Sequence, residues 1–186
     1  MDPPRIPLEV RYLRPDDDLS FIADEPGLSS KAAAERTVQR WLLASNLPAP
    51  AVAVDSDGKV VFMAWMLTAE DNDVIQARWG KMLPILKPGE AIVEGPFTAE
   101  SHRGLGVMLA YNAILDAARE SGIRYVMGFI AENNIAQLKI AEIGQFVPFV
   151  EREESWFLFR RRIRFLPVTE EEKTASIPAE PSAGGG

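Results

Sequence analysis

The chain has no cysteine and a single histidine, His102, among its 186 residues. The first absence removes disulfides, thiolate-ligated zinc, iron–sulfur clusters and thiol nucleophiles together. The second removes any metal site built on several imidazoles and forces all serine–histidine chemistry through one residue, so no metal is expected. A reducing, cytoplasmic setting is compatible with both. There is also no run of about 18 to 20 apolar residues of the kind that spans a bilayer. Pro3, Pro4 and Pro7 occupy the stretch where a leader would need an apolar core. The expectation is a soluble chain with no membrane partner. Positive charge is in short supply too: 20 Lys and Arg face 27 Asp and Glu, for a net charge of −7. Nucleic-acid binding, which asks for a basic surface, is not expected.

What is present is the composition of one globular domain, 47% apolar and 25% charged. Residues 167–186 are rich in Pro, Gly, Ser, Ala and Glu and cannot bury enough apolar area to offset the entropy of ordering. They are expected to form a disordered tail, leaving residues 1–166 as the folded domain.

Glu9 to Leu13 alternates as a first strand. Ala32 to Ser45 has helical spacing, with Ser29 or Ser30 as its cap and Ala34, Val38, Trp41 and Leu42 on one face. Ala51 to Val54 and Lys59 to Leu67 flank Asp57-Gly58, a strong hairpin signal. Glu70 to Leu83 reads as a helix that could serve as a lid. Ala91 to Thr98 reads as a strand broken at Gly95-Pro96, where a central strand tolerates proline only by bulging or leaving its neighbour. A polar turn ending in Arg103, Gly104, Leu105 and Gly106 follows, then a helix with Val107, Tyr111, Ile114, Leu115 and Ala118 on one stripe, stopped by Gly122. Tyr125 to Ile130 is continuously apolar, as in a strand covered on both faces and parallel to its neighbour. Another helix begins after Asn133-Asn134 and stops at Gly144, and Phe146 to Val150 with Trp156 to Phe165 are expected to close the sheet. The fold class is α+β, a mixed central sheet with antiparallel N-terminal strands and a parallel core pair flanked by helices.

A strand, a glycine turn and a helix leave the first helical amides unpaired and aimed at the turn, where a phosphate is the natural occupant. Gly104 and Gly106 let a pyrophosphate approach the backbone, and Arg103, with His102 as a second candidate, supplies charge. A dinucleotide fingerprint would need glycine at position 109, which is leucine, and no Walker loop occurs. Ser101-His102 is not expected to form a nucleophile pair, because adjacent side chains of an extended chain point apart. Arg160, Arg161, Arg162 and Arg164 read as solvated charges of an edge strand, with an acidic partner or a ligand's 3′-phosphate as the other use.

The segment Thr98 to Met108, containing Arg103-Gly104-Leu105-Gly106, together with Asn133-Asn134-Ile135-Ala136 and Gly144-Gln145-Phe146, resembles the GNAT superfamily of acyl-coenzyme A dependent N-acetyltransferases. The resemblance implies the GNAT topology and transfer of an acetyl group from acetyl-CoA to a primary amine of a small molecule or peptide. It leaves open a homodimer and, as an alternative function, a catalytically silent acyl-CoA-binding domain. It further implies that Arg103, Gly104, Leu105, Gly106 and Val107 hold the pyrophosphate, with Asn133 as a coenzyme contact or helix cap. The family's tyrosine proton donor corresponds to Ile140, and Met108 stands where a glycine or alanine is usual. For acyl transfer to an amine, a carboxylate must take the proton. Glu94, just before the strand break, is the first candidate and Glu90 the second, each with an ordinary surface or cross-sheet role as the alternative. The oxyanion needs a backbone amide, which Pro96 lacks and Phe97 or Thr98 would donate.

Overall fold

The computed structural model describes residues 6–103 and 110–168, and for Ala110 and Tyr111 the backbone alone. Gly104, Leu105, Gly106 and Val107 therefore lie outside the described residues, as does the tail beyond Val168. The chain divides into two compact units between Gly128 and Phe129.

The first unit is built on a five-stranded sheet in the order β1-β2-β3-β4-β5: β1 (Glu9–Tyr12), β2 (Ala51–Val54), β3 (Val60–Thr68), β4 (Glu90–Thr98) and β5 (Tyr125–Met127). The first three pairings are antiparallel and the fourth, β4 with β5, is parallel, as the sequence reading requires. Val52, Ala53, Phe62, Met63, Leu67, Ala91 and Ile92 are fully buried, so β2 to β4 are covered on both faces. The hairpin between β2 and β3 forms around Gly58 at φ +79°, with Asp55 Oδ1 accepting from the amides of Asp57 and Lys59.

Helix α1 (Ser30–Leu43) is capped by Ser29, whose hydroxyl accepts from the Ala32 amide. Its inward stripe differs from the expected one: Arg36, Gln39 and Leu42 are buried, while Val38 and Trp41 are exposed. The reason is polar. Arg36 donates to the Ala23 carbonyl at 2.6 Å and Arg40 to that of Ile22 at 2.7 Å, so this face satisfies the carbonyls of a preceding loop. The 70–83 segment holds α2 (Asn72–Trp79) between two short 3-10 turns. It is pinned rather than loose: Ile75 is fully buried, and the Asn72 side chain both donates to the Leu86 carbonyl and accepts from its amide. Helix α3 (Ala110–Glu120) buries Ile114 and Ala118 as predicted and ends at Gly122, φ +88°.

Strand β5 is shorter than the expected Tyr125 to Ile130 because it pairs only with Glu90, Ala91 and Ile92, and Tyr125 at its start is exposed.

The second unit contains α4 (Ile135–Ile143) and a hairpin of β6 (Val150–Phe157) and β7 (Arg160–Pro167). These two strands form a separate two-stranded sheet. The expectation that Phe146 to Val150 and Trp156 to Phe165 close the central sheet is thereby corrected. Their turn falls at Leu158-Phe159, a pair with no turn signature, which is why sequence reading cut the strands elsewhere. Gly144 follows α4 because a Cβ there would stand 3.1 Å from the Phe146 ring, and the left-handed residue of the helix stop is Gln145, φ +58°.

Candidate active site

Strand β4 carries the candidate residues, and its geometry is set at Gly95. Met63 opposes Phe97 and Trp65 opposes Glu94, so two residues of β4, Gly95 and Pro96, face the single Ala64 of β3. This is a β-bulge, the device that re-aims side chains and ends regular pairing. Gly95 has φ +58°, and a Cβ on it would lie 2.6 Å from Leu42 Cδ1 and 3.2 Å from the Trp65 ring. The C-terminal end of α1 is thus seated against the bulge, and only glycine permits it.

Glu94, half-buried, immediately precedes the bulge opposite the buried Trp65. The parallel ladder with β5 has already stopped, at Ile92. Glu90 is placed differently. It begins β4 opposite Tyr125, and its Oε2 accepts from the Lys87 amide at 2.9 Å, closing the turn that leads into the strand. At about 3.3 Å per residue it stands some 13 Å along the strand from Glu94.

Phe97 is buried just past the bulge against Phe21, ring centroids 5.8 Å apart, and Thr98 ends the strand opposite Phe62. A 3-10 turn, Glu100–His102, leads to Arg103. Arg103 is not idle: its Nη2 lies 3.1 Å from Glu35 of α1, its Nε donates to the Thr98 carbonyl at 3.4 Å, and its guanidinium stands 5.9 Å from the Phe97 ring. Both charged partners are partly exposed, which makes the Glu35 contact a weak one. Glu35 was invisible to sequence reading, since its link to Arg103 spans 68 positions.

Ser101 and His102 also depart from expectation. The turn is helical rather than extended, so Ser101 Oγ meets His102 Nδ1 at 2.8 Å. Asp55 of the β2–β3 hairpin approaches the other ring nitrogen at 3.5 Å. The imidazole therefore stands between the Glu100–His102 turn and that hairpin.

In the second unit Asn134 is the helix cap, accepting from the Gln137 amide, which leaves Asn133 to line an open depression together with Glu132. Ile140 is half-buried on α4. Among the described residues no group of three His, Asp or Glu side chains could hold a metal ion.

No family model and no curated protein matches the chain. Solved structures do. A GCN5-related N-acetyltransferase from Kribbella flavida superposes with a TM-score of 0.51 at 20% identity, over 87% of this chain and 98% of its own. A candidate phosphinothricin N-acetyltransferase superposes at 0.50, also at 20% identity, over 88% of this chain and all of its own. At such identity the likeness is one of fold. With its mixed sheet, its parallel β4–β5 pair and flanking helices, the chain has the fold of the GCN5-related N-acetyltransferases.

Proposed function

We propose that the chain is an N-acetyltransferase that moves an acetyl group from acetyl-CoA to a primary amine. The observation that carries this reading is the Gly95-Pro96 bulge, which places a carboxylate, Glu94, directly before a break in β4 within a fold shared with N-acetyltransferases. Acetyl-CoA would supply the activated acyl group. Residues 103–107 would hold its pyrophosphate, with Arg103 exchanging Glu35 for phosphate and the first amides of the following helix adding the positive end of its dipole. An alkylamine with a pKa near 10 is neutral in only about one molecule in a thousand at pH 7, so the acceptor must lose a proton before it attacks. Glu94 takes that proton, directly or through a water. The amide of Phe97 or Thr98, beyond the proline, stabilises the oxygen on which charge develops. The thiol product has a pKa of about 8.5 and can leave as thiolate, so the absence of a hydroxyl at Ile140 slows the final proton transfer without abolishing it. The acidic chain favours a cationic acceptor, small molecule or peptide, over an anionic one.

Ile140 also supports a second reading, an acyl-CoA-binding domain without turnover. Two measurements separate them. Acetyl-CoA should raise the melting temperature, and Gly104→Asp, which sets a carboxylate where phosphate would sit, should remove that rise. An undiminished rise would move the coenzyme site elsewhere. Product formation on a panel of amines, followed by mass spectrometry, then distinguishes enzyme from binder. With an active amine in hand, Glu94→Gln should depress turnover at neutral pH and recover part of it toward pH 9.5, where more acceptor is already neutral, while coenzyme affinity stays close to the parent's. Full turnover with an unchanged pH profile would return Glu94 to a structural role.

A further inference from the structure

The β6–β7 hairpin carries features that the acetyl-transfer reading does not use. Its two-residue turn is Leu158-Phe159, between the paired Phe157 and Arg160, and both turn residues have positive φ, 46° and 63°. A turn with two positive φ values is the place for Asn-Gly or Asp-Gly. Branched or bulky residues there meet steric opposition from their own Cβ. The tip is nevertheless entirely apolar and open: Trp156 is 67% exposed, Phe157 61%, Leu158 75% and Phe159 99%. Four consecutive large apolar side chains at an exposed hairpin end mark a surface that meets something apolar.

The second feature is charge. Directly opposed residues of an antiparallel pair share a face, so Arg160, Arg162 and Arg164 stand in a row with Phe157 on one face, about 7 Å apart. Arg161, on the other face, pairs with Glu154 at 2.6 Å. Glu153 is the cross-strand neighbour of Arg164, yet among the described residues no carboxylate comes within ion-pair distance of Arg160, Arg162 or Arg164. In a chain of net charge −7 the hairpin holds five arginines against three glutamates.

We propose that this hairpin end docks on an anionic lipid membrane. Leu158 and Phe159 enter the headgroup region, Trp156 sits at the interface, and Arg160, Arg162 and Arg164 face lipid phosphates. An apolar tip flanked by cations is complementary to a surface that is charged outside and apolar within. A single-stranded nucleic acid would account for the arginines and for exposed rings on which bases stack, but not for the aliphatic Leu158 at the tip. A second copy meeting this face about a two-fold axis would bring the arginine row against itself. The contact is peripheral, in keeping with the finding that no helix among the described residues is long and apolar enough to cross a membrane.

The test is co-sedimentation of the full chain with phosphatidylcholine vesicles, with and without phosphatidylglycerol, read alongside tryptophan emission. The chain should bind the anionic vesicles alone, with a blue shift, and release them at high salt. Leu158→Asn combined with Phe159→Gly installs the turn that this backbone prefers, so melting should be unchanged or higher while vesicle binding and the blue shift are lost. Changing Arg160, Arg162 and Arg164 together to Gln should weaken binding by roughly a hundredfold. Failure to bind anionic vesicles, or binding that survives both variants, overturns the proposal. So does a dimer in sedimentation velocity that disappears with the turn variant, which assigns the surface to a second copy, or tighter binding to oligo-dT than to vesicles, which assigns it to nucleic acid.

Discussion

At Gly95 two requirements coincide: a positive φ, and no room for a side chain between Leu42 and the Trp65 ring. Gly95→Ala must push Leu42 Cδ1 out of a contact of 2.6 Å and hold alanine at φ +58°. Overpacking of this kind costs about 1 to 3 kcal/mol, and the backbone adds about 1. For a chain of this length the melting temperature should fall by roughly 5 to 15 °C. Adding Leu42→Ala to Gly95→Ala should cost less than the sum of the two single changes, since it removes the clashing atoms, and thermal melts of all four proteins would measure that coupling. Additivity would mean that α1 does not press on the bulge. The residues of the candidate site differ in how far they could be read in advance. Glu94 and Gly95-Pro96 are adjacent in the chain, so their relation is a local one. Glu35 and Asp55 reach Arg103 and His102 only through tertiary folding, and no local pattern announces them.

Among the elements, β1 is held to its following loop by one well-made ion pair. Arg11 donates from both terminal nitrogens to Asp17, at 2.7 and 2.5 Å, and both side chains are largely buried. The Arg11 hydrogen bonds, aided by the Arg14 amide, hold the Asp17 carboxyl at a pKa of about 2, below its ordinary value of 3.8. A carboxylate with a lowered folded pKa contributes stability that is complete above its unfolded pKa and is lost as pH falls through the folded one. The Arg11–Asp17 contribution should therefore be intact above about pH 5 and vanish between there and about pH 2. Asp17→Asn should lower stability at pH 7 by up to about 2 kcal/mol and flatten this part of the acid limb in denaturant titrations at stepped pH. Equal acid sensitivity of parent and variant would show that other carboxylates dominate. The polar docking of α1 follows the same logic of partners distant in sequence. Arg36 and Arg40 look like solvent-facing charges until the Ala23 and Ile22 carbonyls are brought beneath them.

At the scale of the whole chain, the sequence reading ends the folded domain at Leu166 and expects a disordered tail after it. Strand β7 runs to Pro167, and the Val168 amide donates to the Phe149 carbonyl, so among the described residues backbone pairing extends two residues past Leu166. Truncation after Val168 should leave the melting temperature and the acetyl-CoA-induced shift within a few degrees of the parent's. A cut after Leu166 removes that hydrogen bond and should melt lower. A large loss on truncation after Val168, read by differential scanning calorimetry, would mean that residues 169–186 contribute to the fold.

The sequence by itself determined what depends on near neighbours. Alternation and helical spacing marked β1 to β4, α1 and α3, Asp57-Gly58 marked the hairpin, and Gly95-Pro96 marked the break in β4, each through a steric or hydrogen-bonding preference that acts within a few residues. The same locality puts Glu94 beside that break and sets β4 ahead of α3 in the chain. Tertiary structure alone decided which face of α1 is buried, where β5 stops, that Asn72 pins α2 onto Leu86, and that β6 and β7 pair with each other instead of extending the central sheet. These outcomes turn on partners far apart in the chain, and on a turn, Leu158-Phe159, that runs against the local preferences from which sequence is read.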